Sequence, residues 1–398
     1  MNIFISFVTL SVFLNLFKYY AYYSAVPTYI FQIFIFFIVT IYYLVKNKQI
    51  MYSKLLFLWI IYFFIISTIY YVITGFGGLV EYKRYVPIVT LVVIFFNFSL
   101  MYALDDDDLS KTRRIIFFSM LIAVILLVYD FVFPGSFVID NKDVFISGRA
   151  LATYNNQNIV GAVLILGLIL SIDILDRKYR MYYIMYIFIG IAVTFSRSNL
   201  IIFFIILFIF AIQKKISRVS LLNLYIVLFG ILLWLGFGGL EWIGDQFNIE
   251  ISSDLLNRVN FFIDRKDADT SDMNERKMVL HAALNMFQDH PIFGNGFAST
   301  SSELWAYRVG PHNTFARTWA EYGLFGVLII PLFLLSATYQ IFFSIDKAKR
   351  DLGILFIVYY TLSSFFSHNM LEQDFNIIGA IVIATLGYKN YRKEIYEK

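Results

Sequence analysis

Long runs of apolar residues constrain this chain more than any other feature of its sequence. The segment 201–212 reads IIFFIILFIFAI, and 60% of the 398 residues are hydrophobic while only 15% are charged. A soluble globular protein has about 45–50% apolar and about 25% charged residues. Only helices and closed barrels satisfy backbone hydrogen bonds in lipid, and barrel strands alternate apolar with polar residues. The unbroken runs therefore predict an all-α polytopic membrane protein.

The number of these runs predicts about twelve transmembrane helices, because a spanning helix needs about 20 mostly apolar residues. The predicted spans are 2–17, 28–45, 55–74, 85–104, 115–133, 157–175, 181–196, 198–213, 221–239, 314–343, 352–368 and 375–388. The spans on either side of Ser196-Arg197-Ser198 are kept separate because an arginine facing lipid in the middle of a helix is costly.

Lysine and arginine recur in alternate loops of this arrangement, and this pattern predicts its orientation. They cluster in the segments 46–54, 111–114, 177–180, 214–218 and 347–350. Cytoplasmic loops carry such an excess of positive charge, so both termini are predicted to be cytoplasmic. The chain then divides into spans one to nine over residues 1–239, a large extracytoplasmic loop containing helices over 240–311, and spans ten to twelve with a cytoplasmic tail over 312–398.

Several kinds of chemistry have no support in the sequence. The chain has no cysteine, which excludes thiol catalysis and thiolate metal sites. It has no glycine pattern typical of nucleotide binding and no histidine and glutamate spacing typical of zinc. The acidic residues between 264 and 272 lack the spacing of a calcium loop. We therefore predict neither a metal nor a cofactor.

Ionisable residues at the predicted outer ends of the spans are the candidates for function. The segment 310–323 is the densest, because Asn313, Arg317 and Glu321 are four residues apart and share one helix face. This polar face predicts a water-filled cavity. An ion pair between Arg317 and Glu321 that only joins two helices is the alternative. His312 is a candidate base, with a capping or interfacial histidine as its alternative.

Other candidates are cationic and amide side chains on the same side of the membrane. They are Arg84, Arg149, Arg197, Arg276 and Arg308, together with Asn155, Asn156 and Asn158. Arginine binds phosphate in a bidentate manner and stays charged, while an amide can both donate to and accept from a hydroxyl group. The set predicts a lipid-linked pyrophosphate carrying sugars as substrate. A snorkelling arginine at 197 and helix caps at 156 or 158 are the alternatives.

Several of these segments resemble motifs of one family. An arginine-led helix at Arg276 is followed by Pro291-Ile292-Phe293-Gly294-Asn295-Gly296, then by His312-Asn313 and by Glu321-Tyr322-Gly323-Leu324-Phe325-Gly326. Together with the asparagine-rich segment 155–158 and Ser196-Arg197-Ser198, these motifs resemble the O-antigen polymerase and O-antigen ligase superfamily. The resemblance extends over residues 149–326.

The resemblance implies a membrane glycosyltransferase of the C type, with a large loop between spans nine and ten. It implies inverting, metal-independent transfer of a glycan from undecaprenyl pyrophosphate at the outer face of the bacterial cytoplasmic membrane. Arg197, Arg276 and either Arg149 or Arg317 would bind the pyrophosphate, and His312 or Glu321 would orient or deprotonate the attacking hydroxyl. A chain-length regulator and a flippase are the implied protein partners.

The sequence is compatible with three functions. A polymerase, which we favour, joins one lipid-linked repeat to another, whereas a ligase transfers the finished chain to lipid A–core or another acceptor. A transporter for lipid-linked sugars would also have many spans and a cationic cavity. The sequence lacks the internal repeat typical of such transporters. It does not distinguish O-antigen from capsule or another exopolysaccharide.

Overall fold

Every regular element that the structure describes is a helix. The structure is a computed structural model, and it describes residues 3–23, 25–46, 53–73, 79–102, 106–137, 149–154, 156–247, 271–301, 305, 307, 310–367 and 369–396. The helices are α1 (Ile3–Phe13), α2 (Leu16–Tyr23), α3 (Ala25–Lys46), α4 (Lys54–Ile73), α5 (Leu79–Tyr102), α6 (Asp106–Val132), α7 (Gln157–Ser171), α8 (Arg177–Ala192), α9 (Arg197–Ile212), α10 (Arg218–Trp234), α11 (Leu240–Phe247), α12 (Ser271–Asp289), α13 (Thr314–Tyr322), α14 (Leu324–Phe342), α15 (Lys347–Phe366) and α16 (Asp374–Tyr396). Short 3₁₀ turns cover Ile172–Ile174 and Met370–Glu372.

Several of these helices have the length and composition of membrane spans. Among the described residues, four are long and apolar enough to cross a bilayer: Lys54–Ile73, Leu109–Val132, Gln157–Ile174 and Leu324–Phe342. The prediction of an all-α membrane protein is therefore confirmed in its general form. The number of about twelve spans remains a prediction.

Three predicted spans differ from the helices in the structure. The span 221–239 is interrupted after α10 ends at Trp234, where Gly238 has a φ of 98°. The span 2–17 is interrupted after Phe13, where Asn15 has a φ of 55°, and the chain continues as α2. The span 314–343 is interrupted at Gly323, whose φ of 59° and ψ of −136° lie outside the helical region, so the segment is the pair α13 and α14. The spans on either side of Ser196-Arg197-Ser198 are two helices, α8 and α9, as predicted.

The chain folds into two compact units, each assembled from separate segments. The first unit contains Met1–Ile5, Phe31–Lys111 and Ser271–Lys398, and the second contains Ser6–Ile30 and Thr112–Thr270. The predicted division at residues 239 and 311 concerns membrane topology and remains a prediction. Residues 248–270 of the predicted outer loop lie outside the described residues.

Aromatic residues form the core of the first unit, where α4, α14, α15 and α16 pack together. The ring of Phe333 on α14 lies 4.6 Å from that of Trp59 and 4.7 Å from that of Tyr360. Trp59 donates its indole N–H to the carbonyl of Ile329 at 2.8 Å, which satisfies a group that would be costly to bury alone. The hydroxyl of Tyr359 donates to Oδ1 of Asn376 at 2.9 Å.

Helix α7 is the centre of the second unit. Its residues from Ile159 to Ser171 are all buried, as expected for a helix that is apolar on every side. It packs against α8 and α9. Two glycines allow close packing, since a Cβ at Gly167 would lie 2.2 Å from the Met120 sulfur and one at Gly190 would lie 2.7 Å from Val124.

A partly buried ionic cluster lies at the C-terminal end of α7. Lys215, whose side chain is 6% exposed, donates to Asp173 at 2.5 Å, and Arg180 lies 3.6 Å from the same carboxylate. Burial lowers the pKa of Lys215, against the opposing effect of Asp173. Nε of Arg113 donates to the Leu170 carbonyl at 2.6 Å. Arg113 thereby satisfies one of the last carbonyl groups of α7, at the end of the helix opposite to Asn156.

Candidate active site

In the first unit, an asparagine sets the start of the polar helix α13. Asn313 is the N-cap residue, and its Oδ1 accepts a hydrogen bond from the backbone N–H of Ala316 at 3.0 Å. Such a cap stabilises a helix start by about 1 kcal/mol. The backbone N–H of Asn313 donates to the carbonyl of Pro311 at 2.7 Å, so the half-buried His312 lies in the tight turn just before α13.

Arg317 on α13 lies between two carboxylates. Its Nε is 3.5 Å from Oε1 of Glu321, one turn further along the helix, and its Nη2 donates to Glu372 in the 3₁₀ turn before α16. The ion pair between Arg317 and Glu321, the alternative interpretation of their spacing, is therefore present. Arg317 is 11% exposed and Glu321 is 0% exposed. The cluster of these three residues has one cation and two anions.

Glu321 also accepts a hydrogen bond from a residue that the sequence did not point to. Oγ1 of Thr300, itself buried, donates to Oε1 of Glu321 at 2.5 Å. A carboxylate that is removed from water is stabilised only when charges and donors surround it. Arg317 and Thr300 supply both here, so the position of Glu321 is closely defined.

The glycine motifs that carry the family resemblance contact each other through their backbones. Gly323, which ends α13, has a φ of 59°, and a Cβ there would lie 2.5 Å from the carbonyl of Ile292. Gly294 has a φ of 67°, and a Cβ there would lie 2.5 Å from the carbonyl of Glu321. We call this contact between residues 292–296 and 320–324 the glycine clasp.

Hydrogen bonds of the glycine clasp satisfy the last carbonyl groups of α13. The last carbonyls of a helix have no partner within it. Here the N–H of Asn295 donates to Ala320 at 2.9 Å, and the N–H of Gly296 donates to Glu321 at 3.1 Å. Nδ2 of Asn295 adds a second bond to the Ala320 carbonyl at 3.0 Å. The clasp therefore fixes the backbone that holds the Glu321 side chain.

Helix α12, which carries Arg276, packs against α13 through small residues. Ala283 contacts Ala316 and Ala320 in a buried cluster, and Trp305 packs against its edge. The rings of Phe287 on α12 and Trp319 on α13 are 5.9 Å apart. Arg276 is half-buried two turns before Ala283, so its helix is fixed against α13 by apolar contacts.

In the second unit, the segment between α8 and α9 is held by side chains. The turn has no glycine, and Phe195 has a φ of 49°, an unfavourable conformation for a residue with a side chain. Oγ of Ser196 donates to Oδ1 of Asn158 at 2.8 Å. Nδ2 of Asn199 donates to Ser196 Oγ at 2.9 Å and to the Asn158 carbonyl at 3.0 Å. We call these three polar residues the amide junction.

Arg149 and Asn156 lie beside the amide junction and form hydrogen bonds at the ends of the adjoining helices. Nε of Arg149 donates to the Thr194 carbonyl at 2.8 Å, and a cation is favourable at that end of α8. Asn156 is the N-cap of α7 and accepts from the N–H of Asn158 at 2.8 Å. Arg197, half-buried, is the first residue of α9.

A tyrosine anchors the segment between Arg149 and Asn156. The hydroxyl of Tyr154 donates to the carbonyl of Phe13 at 2.5 Å, and burial raises the pKa of this phenol well above its usual value. Nearby, Oδ2 of Asp130 accepts from the N–H groups of Leu151 and Ala152 at 2.8 and 2.9 Å. The chain that leads to the amide junction is therefore fixed at both of its ends.

The structure thus brings the predicted residues together in two groups. Asn313, Arg317 and Glu321 form one group in the first unit, and Arg149, Asn156, Asn158 and Arg197 form another in the second. Arg84 lies on α5 with a side chain outside the described part, and Asn155 and Arg308 are not among the described residues. Within the described ranges, no group of three or more histidine and acidic side chains could hold a metal ion.

Sequence reasoning missed two residues of these groups and the partner of a third. Thr300 and Asn199 had no motif to mark them, because their partners are 21 and 41 residues away in the chain. Glu372 was recognisable as an acidic residue at the last predicted outer loop, but its pairing with Arg317 across 55 residues depends on the fold.

A comparison with protein families agrees with these motifs. Residues 182–330 match a family model described as O-antigen ligase. The matched segment includes Arg197, Arg276, His312 and Glu321, and it contains both sides of the glycine clasp. No curated protein matches the sequence. The family match confirms the predicted resemblance to the O-antigen polymerase and ligase superfamily over this segment, and with the apolar helices it supports a bacterial membrane protein.

Proposed function

We propose that this protein polymerises lipid-linked oligosaccharide repeats into O-antigen or a similar surface polysaccharide. The observation that carries the proposal is the match of residues 182–330 to the O-antigen ligase family, whose members are glycosyltransferase-like polymerases and ligases. The substrate is a glycan on undecaprenyl pyrophosphate, and the reaction takes place at the outer face of the cytoplasmic membrane. A flippase supplies the repeats, and a chain-length regulator sets the size of the polymer.

In the proposed reaction, a sugar hydroxyl of one repeat attacks the anomeric carbon of another glycan. A new glycosidic bond forms as the bond from that carbon to the pyrophosphate oxygen breaks. Undecaprenyl pyrophosphate leaves with the electron pair, and the configuration at the carbon inverts. The negative charge that develops on the leaving oxygen must be stabilised, and fixed cationic groups are effective in this role.

Arg197 and Arg276 are the proposed pyrophosphate ligands. Both are half-buried, and each lies on a helix fixed by the contacts described above. Arg317 is less suited to this role because two carboxylates already surround it. Arg149 is already a donor to the Thr194 carbonyl through Nε, and its Nη groups are the ones that would reach a phosphate. Arg84 and Arg308 remain candidates for the same anion.

His312 is the proposed group that orients or deprotonates the attacking hydroxyl. It is half-buried and precedes the capped start of α13, and histidine is the most common general base in enzymes. Glu321 is 0% exposed and is surrounded by Arg317 and Thr300. We therefore propose that Glu321 acts as a positioning residue, which holds Arg317 and the end of α13.

The amide residues are the proposed ligands of the sugars. Asn156, Asn158 and Asn313 each use Oδ1 in a hydrogen bond within the protein. The Nδ2 group of each would donate to a sugar hydroxyl, while the fixed Oδ1 sets its direction. Asn155 and the indole ring of Trp319 or Trp305 would complete these contacts.

A ligase is the second candidate, because the matching family is described by that activity. It would use the same donor and transfer a finished glycan to lipid A–core. Deletion of the gene distinguishes the two functions. Loss of the polymerase leaves a single repeat on the acceptor, whereas loss of the ligase leaves no glycan on it. Loss of a transporter stops the supply of repeats at the outer face.

Substitutions then test the residues within the same strain. Arg197→Ala and Arg276→Ala are each expected to reproduce the deletion phenotype at normal protein levels. Arg177→Ala is the control, since Arg177 is an exposed arginine at the start of α8. Polymer of unchanged length and yield in both Arg197→Ala and Arg276→Ala would show that these arginines do not bind the pyrophosphate.

A further inference from the structure

A groove lined in part by polar side chains lies on the exposed side of α12, away from the residues assigned above. Its volume is about 670 Å³, within the range of about 300–1,000 Å³ that is typical of sites for small ligands. The residues that line it are Asn274, Lys277, Met278, His281, Ala282, Asn285 and Tyr307.

The groove occupies the face of α12 opposite to its packing face. Val279 and Ala283 are fully buried against the rest of the first unit. Asn274, Lys277, His281 and Asn285 follow one another at intervals of three or four residues, so they form one stripe along the helix. All four are exposed. The helix therefore has one face that joins it to α13 and another that is open to a ligand.

Tyr307 forms the other wall of the groove. The ring of Tyr307 lies 5.3 Å from the ring of Trp305, and Trp305 packs against the alanine cluster between α12 and α13. Tyr307 is half-buried. Its phenol is thus anchored beside the polar stripe, where a ring face and a hydroxyl are available to a ligand.

The chemistry of the lining indicates the class of ligand. Asn274 and Asn285 each offer amide donors and an acceptor, which suit the hydroxyl groups of a sugar. Tyr307 offers an aromatic surface for the apolar face of a sugar ring. Lys277 is cationic, and none of the described lining residues is acidic. The lining therefore favours a saccharide that carries a carboxylate or phosphate substituent over a neutral one.

We propose that this groove binds the saccharide chain at units remote from the reacting bond, and that it retains the growing glycan between transfers. This inference rests on the proposed polymerase function, and it adds a glycan subsite to it. A polymer that stays bound through a second site is extended again before it dissociates. The groove would therefore affect the length of the polymer more than the rate of the first transfer.

The test uses the full-length protein in detergent and the glycan of its own host. The oligosaccharide repeat is released from the lipid-linked product by mild acid, labelled at its reducing end, and titrated with the protein by fluorescence polarisation. Tyr307→Ala is expected to weaken binding roughly tenfold, and Asn285→Ala about two- to tenfold through loss of a hydrogen bond. Gln288→Ala is the matched control, since Gln288 is an exposed amide on α12 that does not line the groove.

Polymer length gives a second measurement. Cells with Tyr307→Ala or Asn285→Ala are expected to make shorter polysaccharide chains than cells with Gln288→Ala. The number of chains is expected to be the same in all three strains. Binding and chain length equal to those of Gln288→Ala in both variants would overturn the subsite. If the wild-type protein joins no repeats at all, the proposed function is wrong instead, and the two failures are therefore distinct.

Discussion

The two groups of predicted residues lie next to interrupted helices, and the two interruptions are built differently. In the first unit, the end of α13 is held by the glycine clasp, in which backbone groups of 292–296 bond to backbone groups of 320–324. In the second unit, the turn between α8 and α9 is held by the amide junction of Asn158, Ser196 and Asn199. One interruption depends on the absence of side chains, and the other depends on their presence.

This difference determines which substitutions each site tolerates. A backbone contact has no flexible partner that can move away, so an added methyl group must displace the chain itself. A hydrogen bond between side chains can rearrange or be replaced in part by water. We therefore expect the clasp to be the less tolerant of the two, and the following changes test that expectation from the largest effect to the smallest.

The largest effect is expected for Arg317→Gln. This change leaves Glu321 and Glu372 without the cation between them, and removal of one partner from a buried ion pair costs about 3–5 kcal/mol. The unfolding temperature in detergent is the measurement. Arg177→Gln removes an exposed arginine and is expected to change stability by less than about 0.5 kcal/mol. Equal stability of the two variants would show that the buried ion pairs contribute little.

Gly323→Ala tests the glycine clasp directly. The new Cβ would lie 2.5 Å from the carbonyl of Ile292 on a residue with positive φ, where strain alone costs about 1–3 kcal/mol. We expect a loss of at least about 3 kcal/mol and of polymer synthesis.

A second glycine provides the control for the clasp. A Cβ at Gly230 on α10 meets nothing within 4 Å, so Gly230→Ala is expected to be neutral or to stabilise the helix by up to about 1 kcal/mol. If Gly323→Ala behaves like Gly230→Ala, the close backbone contact is not needed for the fold.

Asn199→Ala tests the amide junction. The change removes the donor to Ser196 Oγ and to the Asn158 carbonyl, and an unsatisfied buried partner costs about 1–3 kcal/mol. Asn223 on α10 is an exposed asparagine, and Asn223→Ala is the matched control. A larger loss of stability in Asn199→Ala than in Gly323→Ala would reverse the comparison between the two interruptions.

The smallest effects are expected at the two asparagine caps. Asn156→Ala and Asn313→Ala each remove a cap oxygen and are expected to cost about 1 kcal/mol. Asn→Asp at the same positions keeps the cap oxygen but removes the amide donors. Normal stability with reduced polymer synthesis in the Asp variants would support sugar binding, whereas normal synthesis would limit both residues to capping.

The sequence predicted the helical class and the approximate positions of most helices because apolar runs report directly on membrane insertion. It also predicted the interruption at Ser196-Arg197-Ser198, since a charge in an apolar run is visible locally. The interruption at Gly323 was missed, because apolar residues continue past it and the reason lies in a contact with Gly294. The spacing of Arg317 and Glu321 indicated their ion pair only as an alternative to a water-filled cavity, and the pair is present. Thr300 and Glu372 are partners that only the fold brings near.

Backbone geometry is needed to explain the glycines in the motifs that carry the resemblance. Gly294 and Gly323 contact each other's backbones. A Cβ at Gly326 would lie 1.9 Å from the carbonyl of Thr318, so it allows α14 to begin close to α13. These glycines allow the close backbone contacts that hold the helix end carrying Glu321.

Elongation of a defined substrate by the purified protein tests the proposed polymerase function. The full-length protein is placed in lipid nanodiscs with the undecaprenyl-pyrophosphate-linked repeat of its host, with and without lipid A–core, and the products are separated by gel electrophoresis. We expect a ladder of lipid-linked glycans from the lipid-linked repeat alone, which is lost in Arg197→Ala and Arg276→Ala and retained in Arg177→Ala. Transfer of the glycan only to lipid A–core, or no transfer in either condition, would contradict the proposed function.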